Sequence, residues 1–313
     1  MFKWLTAIDT GRTSRAMCAQ PPLSSTVQAW ELGVRLREHR MQLGLKAAAA
    51  AKTVGVVAPN FSMMEAGRRR ISQDKLAELA DLYELSAGER AELEELREQA
   101  DQRSWWHDYR DFYSDEFLRF IGLEAGASAI RAYSGEVVPE LLQIADYARA
   151  TVRAASPYIP AVEVGPRVES RLVRQGRLSG DDPLQLSVLL AEGALRQQVG
   201  GPAIMARQIE HLLDVGAEGR NVKIRVWPFA RGAHPLLRGP VEILTFPSDR
   251  LPDLVWQETA LTGTLIDKRH TVETAKISFE EAYEQAPDEV ESREIMRVIG
   301  EEMKLPGLRR SAT

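Results

Sequence analysis

Gly55-Val56-Val57-Ala58-Pro59-Asn60-Phe61-Ser62-Met63-Met64-Glu65-Ala66-Gly67-Arg68-Arg69-Arg70 is the stretch whose reading decides the fold. Gly55 supplies a turn. Pro59 suits the first turn of a helix, where its missing N–H would have no intrahelical partner anyway. At helical spacing Phe61 and Met64 fall on one side, leaving Asn60, Ser62 and Met63 for the exposed side. Gly67 ends the helix and three consecutive arginines follow it. A helix this short is not stable alone, so it must lean on neighbours.

Those neighbours lie on both sides of it. A first helix is expected over about Thr26–Leu43, with Trp30, Val34 and Leu36 as inner-face candidates, and Gly44 ends it. A second spans roughly Lys46–Val54; its five alanines favour helix but bring little core volume. Ser72 can cap a fourth helix carrying Leu76, Leu79, Ala80 and Tyr83. Ser86 and Glu89 form a capping box for a glutamate-rich fifth. Two short helices joined at a glycine turn and followed by an arginine run match a helix-turn-helix unit, which sets its second helix in the DNA major groove.

Residues 1–25 lack periodicity and read as a mobile arm, in which Met17 is an alternative start. Residues 26–100 form the expected all-α domain, 101–111 a linker, and 305–313 a tail. Between them, 112–304 alternate helical and strand patterns. Strands are expected at Ala129–Val138, Leu184–Leu190, Val222–Trp227, Val241–Phe246, Leu254–Glu258 and Thr264–Ile266. Helices are expected at Phe112–Leu123, Pro139–Ala154, Val162–Leu178, Pro202–Val215, Thr271–Glu284 and Pro287–Lys304. The fold class is therefore an all-α five-helix N-terminal domain followed by a larger α+β (mixed α/β) domain.

Composition narrows the function. The 313 residues, 44% hydrophobic and 27% charged, suit about two globular domains. No apolar run approaches the ~18 residues of a membrane span, and no secretory signal opens the chain. A lone cysteine, Cys18, fits a reducing cytoplasm. The net charge of −5 is uneven: nine basic residues against four acidic ones put 30–75 at about +5, leaving about −10 elsewhere. An acidic protein with one basic module is expected where one part binds a polyanion. The five histidines lack metal spacing, and there is no nucleophile elbow, phosphate loop or dinucleotide fingerprint. The expectation is a protein that is not an enzyme and needs no metal or cofactor.

The first domain resembles the Cro/C1-type (XRE-like) helix-turn-helix family. The resemblance rests on Leu36-Arg37, Arg40, Gly44-Leu45, Gly55-Val56 and Ser62 through Arg69. The rest resembles the C-terminal domain of undetermined function that accompanies such modules in actinobacterial regulators. The matching pieces run in order through Trp105-Trp106, Ile121–Ala125, Val138–Gln143, Tyr147–Arg149, Arg171, Arg174-Gln175, Glu192–Arg196, Val199–Gly201, Pro228–Pro235 and Glu258. The resemblance implies a cytoplasmic transcriptional regulator, often partnered with a small protein encoded nearby. The chain departs from the pattern at Lys46-Ala47, where Thr-Gln is usual, at Ala50, where leucine is usual, and at Pro139-Glu140, where Pro-Gly is frequent. Losing a core leucine costs about 2–5 kcal/mol unless neighbours refill the space, and Phe61, Met63 and Met64 are the candidates to do so.

The site expectations follow. Asn60, Ser62 and Met63 are candidates for base contact: Asn60 for adenine, Ser62 for either base type, Met63 for a thymine methyl. Arg40, Lys46, Lys52, Arg68, Arg69 and Arg70 are candidates for phosphate contact. Glu65 is expected to be structural, paired with Arg37 or Arg40. Trp106, Tyr109, Glu192, Trp227, His234, Trp256 and Glu258 are candidates for one ligand or partner pocket; the alternative makes Trp227 and Trp256 strand core and gives His234 a loop hydrogen bond. The expected partners are double-stranded DNA, a second copy in a homodimer, a small neighbouring protein and a small-molecule effector, with no membrane. The competing classes are an adaptor whose helix-turn-helix no longer reads DNA, and an effector sensor with an enzyme-like domain.

Overall fold

A computed structural model of the protein describes residues 24–155, 159–218, 221–259 and 262–305. The expected N-terminal arm and Met17 lie outside the described residues, as does the tail beyond 305.

The N-terminal domain is five helices: α1 (Ser25–Gln42), α2 (Ala47–Thr53), α3 (Ala58–Glu65), α4 (Gln73–Leu82) and α5 (Ala87–Asp101). All four turns between them close alike. The N–H of Leu45, Val56, Arg68 and Leu85 each returns to the carbonyl five residues back, at 2.8 to 3.0 Å. This closure needs a left-handed residue just before it. Gly44, Gly55 and Gly67 fill three such positions and Glu84, at φ 54°, fills the fourth. The core under the turns holds Leu32, Leu36, Ala50, Phe61, Met64, Leu79 and Leu93. Phe61 and Met64 are buried in the same core as Ala50, whereas Met63 stays 43% exposed and refills nothing.

α1 serves two cores. Leu32 and Leu36 enter the helical one, but Val27 and Trp30 are buried in the C-terminal domain, where Trp30 meets Phe246 edge-on at 5.1 Å. This corrects the expectation that Trp30 belongs to the small domain's core. The expected linker is structured over a 3-10 turn, Trp105–Tyr109, which packs on α6 (Asp115–Ala125) and α8 (Ala161–Gln175).

The C-terminal domain is built on a six-stranded mixed sheet of β1 (Ala129–Ser134), β2 (Gln185–Ala191), β3 (Val222–Trp227), β4 (Val241–Thr245), β5 (Leu254–Glu258) and β6 (Gly263–Ile266). Its order is β3-β2-β1-β4-β5-β6. β1, β2 and β3 are parallel, as helical crossovers require; β4, β5 and β6 run antiparallel. Alternation along each strand sends Ile130, Val188, Ile224, Leu244 and Trp256 to one face, under α6, α10 (Pro202–Glu218) and α12 (Glu289–Lys304). Tyr133, Leu189, Trp227, Ile243 and Val255 go to the other face, under α11 (Arg269–Gln285). The remaining helices are α7 (Ala145–Ala155) and the one-turn α9 (Glu192–Arg196). The helix expected over 139–154 divides: Glu140–Leu142 is a separate 3-10 turn before α7.

Candidate functional site

The α2–α3 pair is held from beneath by α1. A Cβ on Gly33 would stand 2.4 Å from the Glu65 carbonyl oxygen, and one on Gly67 2.4 Å from Trp30 Cα. The end of α3 therefore lies in direct backbone contact with α1. Across the same contact Arg40 grips Glu65 at 2.6 and 3.0 Å and donates to the Leu45 carbonyl at 2.7 Å. Arg40 is 9% exposed. Its guanidinium is taken up internally, so the structure removes it from the phosphate candidates. It ties the recognition-helix end and the α1–α2 turn together instead.

Lys46, Lys52, Ser62 and Met63 are exposed, and Asn60 is half-buried. The Asn60 side-chain Oδ1 accepts from Arg69 at 3.1 Å, which engages the oxygen a bidentate adenine contact would use. The arginine run is exposed but tethered: Arg68 lies 3.6 Å from Glu116 and Arg70 3.7 Å from Asp101. Such exposed pairs are worth under about 1 kcal/mol and exchange readily for phosphate. Val57, the N-cap of α3, is 63% exposed and caps with no side-chain bond.

α6 carries contacts in two directions. Toward the DNA-binding unit, Arg119 donates to the Ala66 carbonyl at 3.2 Å, at the negative end of the α3 dipole. Burial, with Arg68 beside it, lowers the Arg119 guanidinium to about 10. Toward the sheet, Glu124 receives both arms of Arg174 at 2.7 Å. Arg174 also bonds Glu140, and Arg171 meets Glu140 at 2.5 Å and Thr151 at 2.8 Å. Burial alone would raise Glu140, but the two guanidiniums outweigh it and hold the carboxyl below its ordinary value. Glu242 of β4 faces the same cluster and, among the described residues, pairs with no arginine. Burial, then Glu124, push it up to about 8, against the pull of Arg174. Glu258 is raised by the same two kinds of cause, burial and then Glu140.

The seven residues expected to share a pocket fall into three places. Trp106 and Tyr109 sit on the 3-10 turn against α6 and α8. Trp256 stacks on Phe120 at 4.5 Å, with Glu258 two residues on along β5. Trp227 and His234 are on the opposite face of the sheet, 4.8 Å apart, and tie down the loop after β3. There Trp227 Nε1 donates to the Gly232 carbonyl, His234 Nδ1 accepts from Leu236 N–H, and the Glu192 carboxylate accepts from Phe229 N–H. Register places Trp227 and Trp256 on opposite faces, so one pocket is excluded. The cluster the sequence reading missed is Glu124, Glu140, Arg171, Arg174 and Glu242. Glu124, Arg171 and Arg174 all stand in the segments that carry the resemblance; Glu242 is marked only by being an acid among apolar strand residues.

Fold and site together define a helix-turn-helix protein with a mixed α/β second domain. A family model described as a helix-turn-helix domain matches residues 31–93. A second, described as a domain of unknown function (DUF5753), matches residues 117–298, more than half of the chain, and the protein belongs to that family. No curated protein and no solved structure matches the chain. The helix-turn-helix match supports DNA binding and a role in transcription regulation. Among the described residues no helix is long and apolar enough to cross a membrane.

Proposed function

We propose that the protein is a sequence-specific DNA-binding transcriptional regulator of the cytoplasm, with α3 entering the major groove and no catalytic activity of its own. The reading rests on α3 itself. The Gly33 contact and the buried Arg40–Glu65 pair fix its inner side, while Ser62 and Met63 are left free outward. Lys46, Lys52 and Arg68–Arg70 supply phosphate contacts around it. One short helix specifies few base pairs, so the protein binds a two-fold site as a homodimer. The C-terminal domain serves dimerisation, a small partner protein or the sensing of a small-molecule effector. Footprinting on the protein's own promoter region tests this: protection of a short inverted repeat is expected, and absence of any retention at low salt overturns it.

A second reading is favoured by one observation. Val57 at 63%, Met41 at 60% and Leu43 at 47% exposure leave large apolar side chains on the outside of this unit, and α3 carries no cationic side chain. An adaptor that uses this surface for a protein partner would give the negative footprint.

A further inference from the structure

A groove of about 390 Å³ opens to solvent between α11, the sheet and the loop after β3. Its floor is Val241, Val255 and Ile266. Val255 pairs with Ile243 and Ile266, and Val241 stands two residues before Ile243, so all lie on the sheet face under α11. One wall is α11 itself, through Thr271, Thr274, Ala275 and Ser278. These recur at i, i+3, i+4 and i+7, which is one stripe of a helix, and all four are small. The neighbouring stripe, Val272, Phe279 and Ala282, is buried and holds α11 on the sheet. The helix is thus anchored along one stripe and stands clear along the next. Leu236 and Arg238 of the loop form the other wall, and Gln257 and His270 complete the lining.

We propose that this groove binds a small aliphatic carboxylic acid, its chain over the apolar floor and its carboxylate against Arg238 and the start of α11. Charge decides the class. Among the described residues no acid lines the groove, in a chain that holds 45 of them, whereas Arg238 and His270 do. Neither of these two side chains makes an ion pair or a hydrogen bond among the described residues. α11, 17 residues long, has no acid in its first turn, and its N-cap Lys268 makes no side-chain capping bond. The positive end of its dipole is therefore uncompensated beside Arg238. An ammonium ligand would find no counter-charge. A nucleotide would meet one guanidinium for several negative charges and no Phe, Tyr or Trp to stack on. The volume lies in the lower part of the about 300–1,000 Å³ of ligand clefts, which suits an acid of modest length.

Binding rests on the groove alone; that the acid acts as an effector rests on the regulator reading. Ile266 of the floor leads directly into Asp267, whose carboxylate acts on the Arg119 guanidinium. Arg119 in turn bonds the Ala66 carbonyl at the end of α3. A ligand seated on Ile266 and Thr271 grips the chain on both sides of Asp267, and so connects the groove to the recognition helix through two side chains.

Calorimetric titration of the full chain with octanoate, 1-octanol and octylamine tests the proposal. Octanoate is expected to bind saturably and at least about tenfold more tightly than octanol, the size of one charge-assisted contact. Octylamine is expected not to bind. Arg238→Gln, at an exposed position, should keep the fold by circular dichroism, weaken octanoate at least about tenfold and leave octanol unchanged. Thr274→Trp sets a large ring in the groove from an exposed helix position, leaves Arg238 in place, and should abolish binding of both. Absence of saturable octanoate binding to the folded protein, equal affinity for octanol or octylamine, or wild-type affinity in either folded variant overturns the proposal. An octanoate affinity that falls as protein concentration rises means that a second copy covers the groove, and overturns it as well. Footprinting with and without octanoate is a separate measurement; an unchanged footprint counts against the effector role and leaves the binding result standing.

Discussion

Gly33→Ala puts the contact that positions the recognition helix to a direct test. Within a helix, alanine is favoured over glycine by about 1 kcal/mol, so the substitution is intrinsically stabilising. Against that, the new methyl would lie 2.4 Å from the Glu65 carbonyl oxygen and 2.7 Å from that of Met64. These are backbone atoms at the end of α3 and cannot rotate aside. Overpacking costs about 1–3 kcal/mol, and a backbone obstacle belongs at the upper end. The net expectation is a loss of about 1–2 kcal/mol, with α3 pushed off α1. Gly88→Ala in α5 is the control, since a Cβ there meets nothing within 4 Å; it should be neutral or stabilising by up to about 1 kcal/mol. Urea denaturation of both variants reads the difference, and retention of promoter DNA reads the displacement of α3. If Gly33→Ala proves as stable as Gly88→Ala, the α1–α3 contact is looser than described and the account of how α3 is held is wrong.

Other perturbations probe other parts of the same argument. Glu65→Ala strands the Arg40 guanidinium and should destabilise by about 3 kcal/mol, whereas Arg40→Met with Glu65→Leu should recover most of that loss; a double-mutant cycle in urea measures the coupling. Glu84→Gly relieves a non-glycine residue at φ 54° and should raise stability by about 0.5–1 kcal/mol, seen as a higher melting temperature. Arg68→Ala with Arg69→Ala should weaken binding to all DNA sequences alike and reduce the slope of log K against log salt; unchanged binding at several salt concentrations refutes it. Glu242 has a folded-state value of about 8, well above that of an unfolded glutamate, so the native state holds the extra proton between the two. Stability should therefore fall as pH rises from about 5 to 8, by at most about 1.4 kcal/mol per unit, and level off above that. Glu242→Gln should flatten this decline, and denaturation across the pH range shows whether it does.

The two faces of α3 were legible because a period of 3.6 separates Phe61 and Met64 from Ser62 and Met63 whatever the surroundings. The strands were legible for the same reason at period 2, and Val222–Trp227 and Leu254–Glu258 coincide with the observed bounds. Periodicity does not say which partner a face meets, however. Trp30 was placed in the wrong core because α1 is apolar on two sides and each side has a different neighbour. The Glu65 pairing expected with Arg37 or Arg40 falls to Arg40, and that bond together with its burial is what removes Arg40 from the phosphate candidates; a basic side chain's exposure is not written in the sequence. Trp227 and Trp256 were grouped although one ends its strand and the other lies in the middle of its own. Only the register shows that the sheet separates them.

The misplacement of Trp30 has a physical origin that bears on how the protein works. A free helix-turn-helix unit would keep α1 for its own core; here the sequence places Val27 and Trp30 on a side of α1 that only the second domain covers. Ser24 Oγ bonds the Gly122 carbonyl, and Gly122 and Gly126 admit the close approach of Thr26 and Val27 to α6. Glu38 of α1 pairs with Arg250 at 2.7 Å. Cutting the chain after α5 would expose Val27 and Trp30 and remove the Arg119 contact on Ala66, so a fragment ending there should be less stable than its five-helix core suggests. The recognition helix is thus referenced to the second domain twice, through α1 at Gly33 and through α6 at Arg119. Any event that moves α6 against the sheet must either break the Ala66 contact or carry the end of α3 with it. That gives a differential contact between two states, which is what a regulatory coupling requires.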